Sequence, residues 1–429
     1  MRTLRTAAAV CLLAAAAVAR AEAQRTLAPP TPRLIDDIQY LSDQQREGRL
    51  TGSPGADSAA EYIARRFAQA GLQPPPGGWF QEFTVAREAP AAQHARVAGV
   101  TGRNVIGILP GSDPTLRLET VILGAHYDHL GHGGFGALDP DSAGAVHNGA
   151  DDNASGTAAL FHVAAQLAAR PPARTVVFVA FDGEELGLIG SGHYARNPIY
   201  PLSETLAMVN LDMVGRLKNN RLIVFGTETA KEFPRMLDSL NWFASFDLRE
   251  VGDGYGPSDH SSFYAAKRPV LHIFTDLHED YHRATDDWDK INLDGLKRVV
   301  DFTAGVVASL ADRPGPLSFV DLPPPALAHN TSGAPAGRGY GAYLGSIPDM
   351  AGTPGGGVRL SGVRTGSPAD KAGLRAGDVI TSMGDRQVPD LQALTDALRA
   401  HQPGDVVRVR FRREAADQTV SVTLGSRGE

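Results

Sequence analysis

Residues 154–181 read ASGTAALFHVAAQLAARPPARTVVFVAF, and two hydrophobic patterns follow one another within this stretch. The first 16 residues repeat apolar side chains at the spacing of one helical face, which predicts an α-helix over 154–169. After a proline pair, residues 176–181 form an unbroken apolar run, which is typical of a strand buried on both faces. A helix that leads into a buried strand indicates an α/β domain.

Three more stretches, mainly apolar, also indicate buried strands, at residues 121–123, 208–211 and 270–274. A second helical pattern covers residues 61–70, with Tyr62, Ile63 and Phe67 on one stripe. Buried strands that alternate with helices predict a mixed, largely parallel sheet flanked by helices.

Composition narrows the range of partners. The 429 residues include 41 Lys and Arg against 48 Asp and Glu, for a formal net charge of −7. This balance gives no basic surface for nucleic acid or anionic lipid, so we expect neither as a partner. The length predicts two domains together with processing segments.

The N-terminus has the pattern of a secretory signal peptide over residues 1–23. Arg2 and Arg5 precede the apolar run 7–19, and Ala21-Glu22-Ala23 is a small-residue cleavage pattern. Because the run is shorter than the roughly 20 apolar residues of a membrane span, we expect export to the periplasm or the medium, with no span after cleavage.

The single cysteine, Cys11, lies inside that segment. The mature chain would then contain no cysteine, which excludes disulfides, thiolate metal ligands and a cysteine nucleophile. Any metal ion would have to be bound by His, Asp and Glu.

A proline-rich segment divides the rest of the chain. We predict a body over residues 24–312, an extended linker over 313–337 and a small β-rich domain over 338–426.

Polar residues of the kind that bind metals follow the predicted strands of the body. In open α/β sheets, sites form at the carboxyl ends of the strands. The residues that follow the four strands there are His126 and Asp128, Glu184 and Glu185, Asp212, and His282. Asp152 precedes the 154–169 helix, near its positive end.

Each position also has an ordinary explanation. Asp152 could be a helix N-cap, the Glu pair could be a solvated helix start, and a lone histidine after a strand is usually hydrogen-bonded. Asp212 is harder to explain in this way, because it interrupts an apolar run and a buried carboxylate is costly unless it is paired or coordinated. Five such positions at one sheet edge favour a metal site.

Five ordered motifs of the body resemble the M28 family of zinc peptidases, over roughly residues 33–310. They are residues 124–131 (GAHYDHLG), 149–156 (GADDNASG), 182–187 (DGEELG), 210–213 (NLDM) and Tyr281-His282. Ser258-Asp259-His260 is similar to a further family signature, and residues 48–53 (GRLTGS) resemble the usual approach to the first histidine.

The resemblance implies two Zn²⁺ ions bridged by one carboxylate. Asp152 would be the bridge, His126 and Asp212 would complete one metal's ligands, and Glu185 and His282 the other's. The donor types agree, because zinc accepts imidazole nitrogen and carboxylate oxygen. The carboxylate of Asp128 is suited to orient the His126 ring.

Glu184 is then the expected general base toward the water between the two metals. By the same resemblance, Tyr281 is expected to donate a hydrogen bond to the oxyanion of the tetrahedral intermediate. His129, His132, His147 and His260 are expected to be ordinary polar loop residues.

The C-terminal region resembles a PDZ domain of the type found in bacterial proteases. The resemblance rests on residues 366–369 (GSPA) and 372–380 (AGLRAGDVI). It implies that a peptide adds to a sheet edge, with backbone amides of Tyr343, Leu344 and Gly345 binding its terminal carboxylate. A groove that only packs against the enzyme is the alternative.

The function expected from these patterns is hydrolysis of the first residue of peptides with a free N-terminus. The alternatives are a carboxypeptidase or dipeptidase on the same scaffold, a glutaminyl cyclase, and a non-catalytic peptide receptor. Cobalt or manganese could replace zinc at the same ligands.

Overall fold

The structure is a computed structural model that describes residues 33–87, 92–93, 95–139, 142, 144–252, 254–256, 258–322, 342–348, 356–363, 366–389, 393–394, 397–398, 400–414 and 416–425. The predicted signal peptide with Cys11 lies outside the described residues, as does most of the predicted linker. No helix in the described ranges is long and apolar enough to cross a membrane.

The described part of the body contains an eight-stranded sheet and its flanking helices. Its strands are β1 (Phe80–Thr84), β2 (Thr101–Leu109), β3 (Thr120–His126), β4 (Thr175–Phe181), β5 (Thr205–Leu211), β6 (Arg221–Phe225), β7 (Asp247–Val251) and β8 (Val270–Phe274). Its helices are α1 (Leu34–Leu41), α2 (Pro54–Gln69), α3 (Gly156–Ala169), α4 (Ile189–Arg196), α5 (Phe233–Ala244), α6 (His260–Ala265) and α7 (Leu293–Asp312).

The strand order is β1-β2-β4-β3-β5-β8-β6-β7, and the predicted strands are its four central members. Strands β4, β3, β5 and β8 run parallel to one another, whereas β2 and β6 pair antiparallel with this group. The sheet is therefore mixed and largely parallel, as predicted. The sequence did not indicate β1, β2, β6 or β7, of which β1 and β7 form the edges.

Both faces of the central strands are buried, because alternate side chains enter different apolar clusters. Val121 and Leu123 of β3 pack with α2, α3 and α7, whereas Ile122 packs on the other face with α4 and α6. This two-sided burial explains why the strands are continuous apolar runs. Helix α2 begins at Pro54, earlier than predicted, after Ser53 caps it by accepting from the Ala56 N–H.

The C-terminal region is a separate antiparallel sheet with its own apolar cluster. Its strands are β9 (Ser346–Pro348), β10 (Val358–Val363), β11 (Val379–Met383), β12 (Arg386–Gln387), β13 (Val406–Arg413) and β14 (Ala416–Thr423), with α8 (Pro368–Lys371) after Ser367. In the order β14-β13-β11-β10-β9, β9 is an edge strand. Residues 313–322, assigned to the linker from sequence, contact the body: the Leu322 N–H donates to Tyr264 Oη at 2.7 Å.

Candidate metal centre

Two of the predicted ligands stand at the ends of adjacent parallel strands. His126 is the last residue of β3, and Asp212 directly follows the last residue of β5. The His126 Nε2 atom lies 3.3 Å from Asp212 Oδ1. The sheet itself therefore brings these two side chains together.

Asp152 reaches the same point from an irregular turn. Residues Ala150–Ser155 form an irregular turn before α3 begins, with non-helical backbone at Asp152 and Asn153, and the Asp152–Asn153 peptide bond is cis. The helix-capping acceptor is Asn153, whose Oδ1 accepts from the Gly156 N–H at 2.9 Å. Asp152 is thus not the N-cap that its position also allowed, and its carboxylate is directed to the histidines.

The two oxygens of Asp152 face two different histidines. Oδ1 lies 3.3 Å from His126 Nε2, and Oδ2 lies 3.3 Å from His282 Nε2. His282 Nε2 is in turn 3.2 Å from Glu185 Oε2. Asp152 therefore connects two donor groups, one with His126 and Asp212 and the other with His282 and Glu185.

These separations fit zinc. With zinc–ligand bonds of about 2.0–2.1 Å, two ligands of a tetrahedral ion lie about 3.3 Å apart. The four separations along the path Asp212–His126–Asp152–His282–Glu185 are 3.2 or 3.3 Å. Nitrogen and oxygen donors without sulfur also suit this ion.

Each imidazole is turned so that its Nε2 atom faces the carboxylates. The Nδ1–H of His126 donates to the backbone oxygen of Asp128 at 3.2 Å, and the Nδ1–H of His282 donates to the backbone oxygen of Gly136 at 2.9 Å. Such hydrogen bonds fix the tautomer and ring orientation of a metal-binding histidine.

The carboxylates of the cluster favour positive charge at the two histidines. Burial alone would lower the pKa of His126 and His282, but the neighbouring carboxylates raise it well above its usual range. Burial alone would raise the pKa of Asp152, but its contacts with both histidines hold that pKa well below its usual range. The cluster thus favours an ionised Asp152 carboxylate and positive charge at both histidines.

Asp128 links the first histidine to the glutamate pair. Its Oδ1 accepts from the Glu184 N–H at 3.1 Å, and its Oδ2 accepts from the Glu185 N–H at 3.3 Å. Its Oδ1 is also 3.7 Å from His126 Nδ1, farther than its own backbone oxygen. Asp128 therefore holds the glutamate loop as well as adjoining the His126 ring.

Adjacent Glu184 and Glu185 occupy different environments. Burial raises the pKa of Glu185, but His282 and a hydrogen bond from His129 outweigh it and lower that pKa to about 2. Burial and the neighbouring carboxylates raise the pKa of Glu184 well above its usual range. The pair thus divides into a ligand-type carboxylate and a carboxylate with raised proton affinity, which suits a base.

Tyr281 stacks on His282, with ring centroids 3.9 Å apart. Burial and then the carboxylates of Asp152, Glu185 and Glu184 raise the pKa of Tyr281 well above its usual range. Its phenol is therefore protonated at neutral pH and able to donate a hydrogen bond.

The sequence analysis gave no role to Arg49, whose guanidinium is fully buried beside the site. It donates to backbone oxygens of Tyr127 at 2.6 Å, Asn148 at 2.7 Å and Gly149 at 3.0 Å. Burial lowers the pKa of Arg49 to about 10, so it remains a cation at neutral pH. Arg49 thus connects the loops that carry Asp128 and Asp152. The motif at residues 48–53 (GRLTGS) was the sequence signal for this arginine.

Three of the four histidines expected to be ordinary polar loop residues are fully buried: His129, His147 and His260. His129 is fully buried and hydrogen-bonds Glu185. His260 is the first residue of α6 and stacks on His272 at 4.5 Å, and burial lowers its pKa to about 3. His132 is exposed, as expected, whereas His147 is buried and pairs with Asp139 at 2.8 Å.

One of the amides predicted to bind peptide in the C-terminal domain is already paired. The Tyr343 N–H donates to the Gly425 oxygen at 2.8 Å, so that part of the prediction is wrong. Among the described residues, no backbone group accepts from the N–H of Leu344 or Gly345. Gly345 has φ of +78°, and a Cβ there would lie 2.2 Å from the Ser367 Cβ, so the loop requires glycine.

Comparison with known families and proteins gives two matches. Residues 104–307 match Peptidase family M28, and residues 338–424 match the PDZ domain family. Aminopeptidase YwaD of Bacillus subtilis is 27% identical over 217 residues, covering 48% of this chain and 44% of that protein. The chain spans about half the length of the curated peptidase relatives that it matches.

A second relative matches a shorter part of the chain. Serine protease Do-like HtrA of Lactococcus lactis is 44% identical over 69 residues, covering 16% of this chain and 17% of that protein. The fold of the body is similar to that of a Zn-dependent exopeptidase from Parabacteroides distasonis. That match has a TM-score of 0.52 at 20% identity and covers 67% of this chain and 100% of the other. The chain therefore contains a peptidase family M28 domain followed by a PDZ domain.

Proposed function

We propose that this chain is an exported dinuclear zinc aminopeptidase that hydrolyses the first residue from peptides. The observation that carries the proposal is the position of Asp152, whose two oxygens each face a separate histidine–carboxylate pair at 3.2–3.3 Å separations. The Glu184 carboxylate, with its raised pKa, stands next to one of those pairs. Aminopeptidases among the relatives support the same activity.

The ligands would be His126, Asp152 and Asp212 for one Zn²⁺, and His282, Asp152 and Glu185 for the other. Bound there, the ions would supply Lewis-acid polarisation of the scissile carbonyl and a lower pKa for the attacking water. Glu184 takes the proton of that water and delivers it to the leaving amine. The phenol of Tyr281 donates to the oxyanion of the tetrahedral intermediate.

The surrounding charges favour a free N-terminus over a free C-terminus as the substrate end. A carboxypeptidase needs a cation to bind the terminal carboxylate. Among the described residues, Arg49 and Arg216 interact electrostatically with Asp152 and Asp151, and both are engaged: Arg49 with backbone oxygens, and Arg216 with Asp280 and Asp286.

The experiment that tests the activity uses aminoacyl-4-nitroanilides and the same compounds with blocked N-termini, with and without a chelator. We expect cleavage of the free amines only, and loss of cleavage with the chelator that is restored by Zn²⁺. Cleavage of blocked peptides would overturn the aminopeptidase assignment. Conversion of N-terminal glutamine to pyroglutamate would indicate a glutaminyl cyclase, and binding without turnover a peptide receptor.

The proposal of export rests on the N-terminal pattern of residues 1–23.

For the PDZ domain we propose binding of peptide C-termini at the edge strand β9, with the amides of Leu344 and Gly345 donating hydrogen bonds to the terminal carboxylate. Support comes from the edge position of β9 and from the positive φ at Gly345.

A further inference from the structure

His129 is fully buried beside the second donor group, although neither the expected ligand set nor the base requires it. Its Nδ1 atom lies 2.7 Å from Glu185 Oε1, and its ring meets that of His282 edge-on at 5.9 Å. The other nitrogen, Nε2, is buried without a hydrogen-bond partner among the described residues.

A ring nitrogen of His129 lies close to carboxylate oxygens of Asp152 and Glu185. By proximity alone, these three residues could form a metal-binding group. The separations distinguish a ligand from a hydrogen-bond donor. His282 Nε2 is 3.3 and 3.2 Å from Asp152 Oδ2 and Glu185 Oε2, close to the spacing of about 3.3 Å between two ligands of one tetrahedral zinc.

The corresponding distances of His129 do not have this spacing. Its Nδ1 is 2.7 Å from Glu185 Oε1, the length of a charge-assisted hydrogen bond, and 3.9 Å from Asp152 Oδ2. We propose that His129 is a positioning residue that donates its Nδ1–H to Glu185 Oε1. Glu185 then has only Oε2 free for the metal that it shares with His282. This inference rests on the proposed two-zinc function.

The surroundings hold the His129 ring in place. Its backbone N–H donates to the Arg49 oxygen at 3.2 Å. The ring packs on Gly149, where a Cβ would lie 2.5 Å from His129 Cδ2. Gly149 also has φ of +55°, a conformation that side chains disfavour. The start of the Asp152 turn is therefore shaped around this histidine.

The test compares His129→Ala with His129→Asn in the full chain. The asparagine amide can donate from nearly the position of Nδ1 but cannot replace imidazole as a ligand. His162→Ala is the matched control, because His162 also pairs with a carboxylate, Asp37 at 2.9 Å, outside the metal cluster. Zn²⁺ binding to each metal-free protein is measured by competition with a chromophoric chelator, independently of peptidase activity.

We expect two Zn²⁺ per wild-type chain. His129→Ala should weaken one of them by about 10- to 100-fold and leave the other unchanged, since outer hydrogen-bond partners contribute on this scale. His129→Asn should restore most of that affinity, and His162→Ala should leave both sites unchanged. A general loss of stability would not weaken one site alone and then be rescued by asparagine.

Two results would overturn the inference. Unchanged affinities in His129→Ala would remove the positioning role, and equal loss of one ion from His129→Ala and His129→Asn at saturating zinc would make His129 a ligand. A wild-type chain that binds fewer than two Zn²⁺ would instead overturn the proposed function, before any variant is compared.

Discussion

The two donor groups of the site are built differently. His126 and Asp212 stand at the ends of adjacent parallel strands, so the sheet fixes the distance between them. Glu185 lies four residues beyond β4, and His282 lies eight residues beyond β8, so loops carry both. We call the first pair the strand half and the second pair the loop half of the site.

The difference shows what each half needs from its surroundings. In the strand half, backbone hydrogen bonds of the sheet fix the backbone positions of the ligands, and the Asp128 oxygen orients the His126 ring. In the loop half, side chains and isolated carbonyls place the ligands: Asp128 binds the Glu184–Glu185 backbone, His129 binds the Glu185 carboxylate, and the Gly136 oxygen binds the His282 ring. The loop half should therefore be the more sensitive to changes outside the ligand set.

The largest effect should come from the residue that both halves share. Asp152→Ala removes one ligand from each metal, and we expect loss of both Zn²⁺ ions and of all measurable turnover. Elemental analysis after dialysis checks this, with Asp57→Ala as the control, because Asp57 pairs with Arg103 outside the metal cluster. Full zinc content in Asp152→Ala would show that the two halves are independent.

The next largest effects should come from the two adjacent glutamates, and the two substitutions should differ in their effect. Glu185→Gln should lose the ion of the loop half and retain that of the strand half. Glu184→Gln should retain both ions but lower kcat by at least about a hundredfold, the usual contribution of a general base. Zinc content and kcat are measured together on both variants. Near-normal turnover in Glu184→Gln would remove its assignment as the base.

The sequence predicted the central strands and the ligands at their ends better than it predicted the rest of the molecule. The four central strands were predicted because burial on both faces makes them continuous apolar runs, and ligands at strand ends follow from that placement. The edge strands β1 and β7 are partly exposed and carry no such pattern. Their place in the sheet depends on pairing with distant residues.

The supporting residues could not be predicted in this way. His129 hydrogen-bonds Glu185, which lies 56 residues away in the sequence. Arg49 donates to the backbone oxygen of Tyr127, which lies 78 residues away. Both residues lie within motifs that resemble the family, but the local sequence does not distinguish a buried hydrogen-bond donor from a solvated one. In the PDZ domain, the pairing of the Tyr343 amide with Gly425 is likewise a long-range contact.

The smallest effect should come from removing support in the strand half. Ser258 Oγ donates to Asp212 Oδ2 at 2.8 Å, which is the counterpart of the His129 bond to Glu185. Because the Asp212 N–H also donates to the Ile273 oxygen of β8 at 3.3 Å, the backbone position of Asp212 does not depend on the serine. Ser258→Ala should therefore weaken zinc binding by about tenfold at most, which is the low end of the effect of outer hydrogen-bond partners on metal affinity.

Ser262→Ala is the control for that variant, since Ser262 Oγ bonds to Ser191 and not to a ligand. The same zinc titration places Ser258→Ala and His129→Ala on one scale. A larger loss in Ser258→Ala than in His129→Ala would contradict the comparison, because the strand half would then depend on outer contacts more than the loop half does. The expected result is a larger loss of zinc affinity in His129→Ala than in Ser258→Ala. Zinc binding at the loop half would then depend on outer hydrogen bonds more than zinc binding at the strand half does.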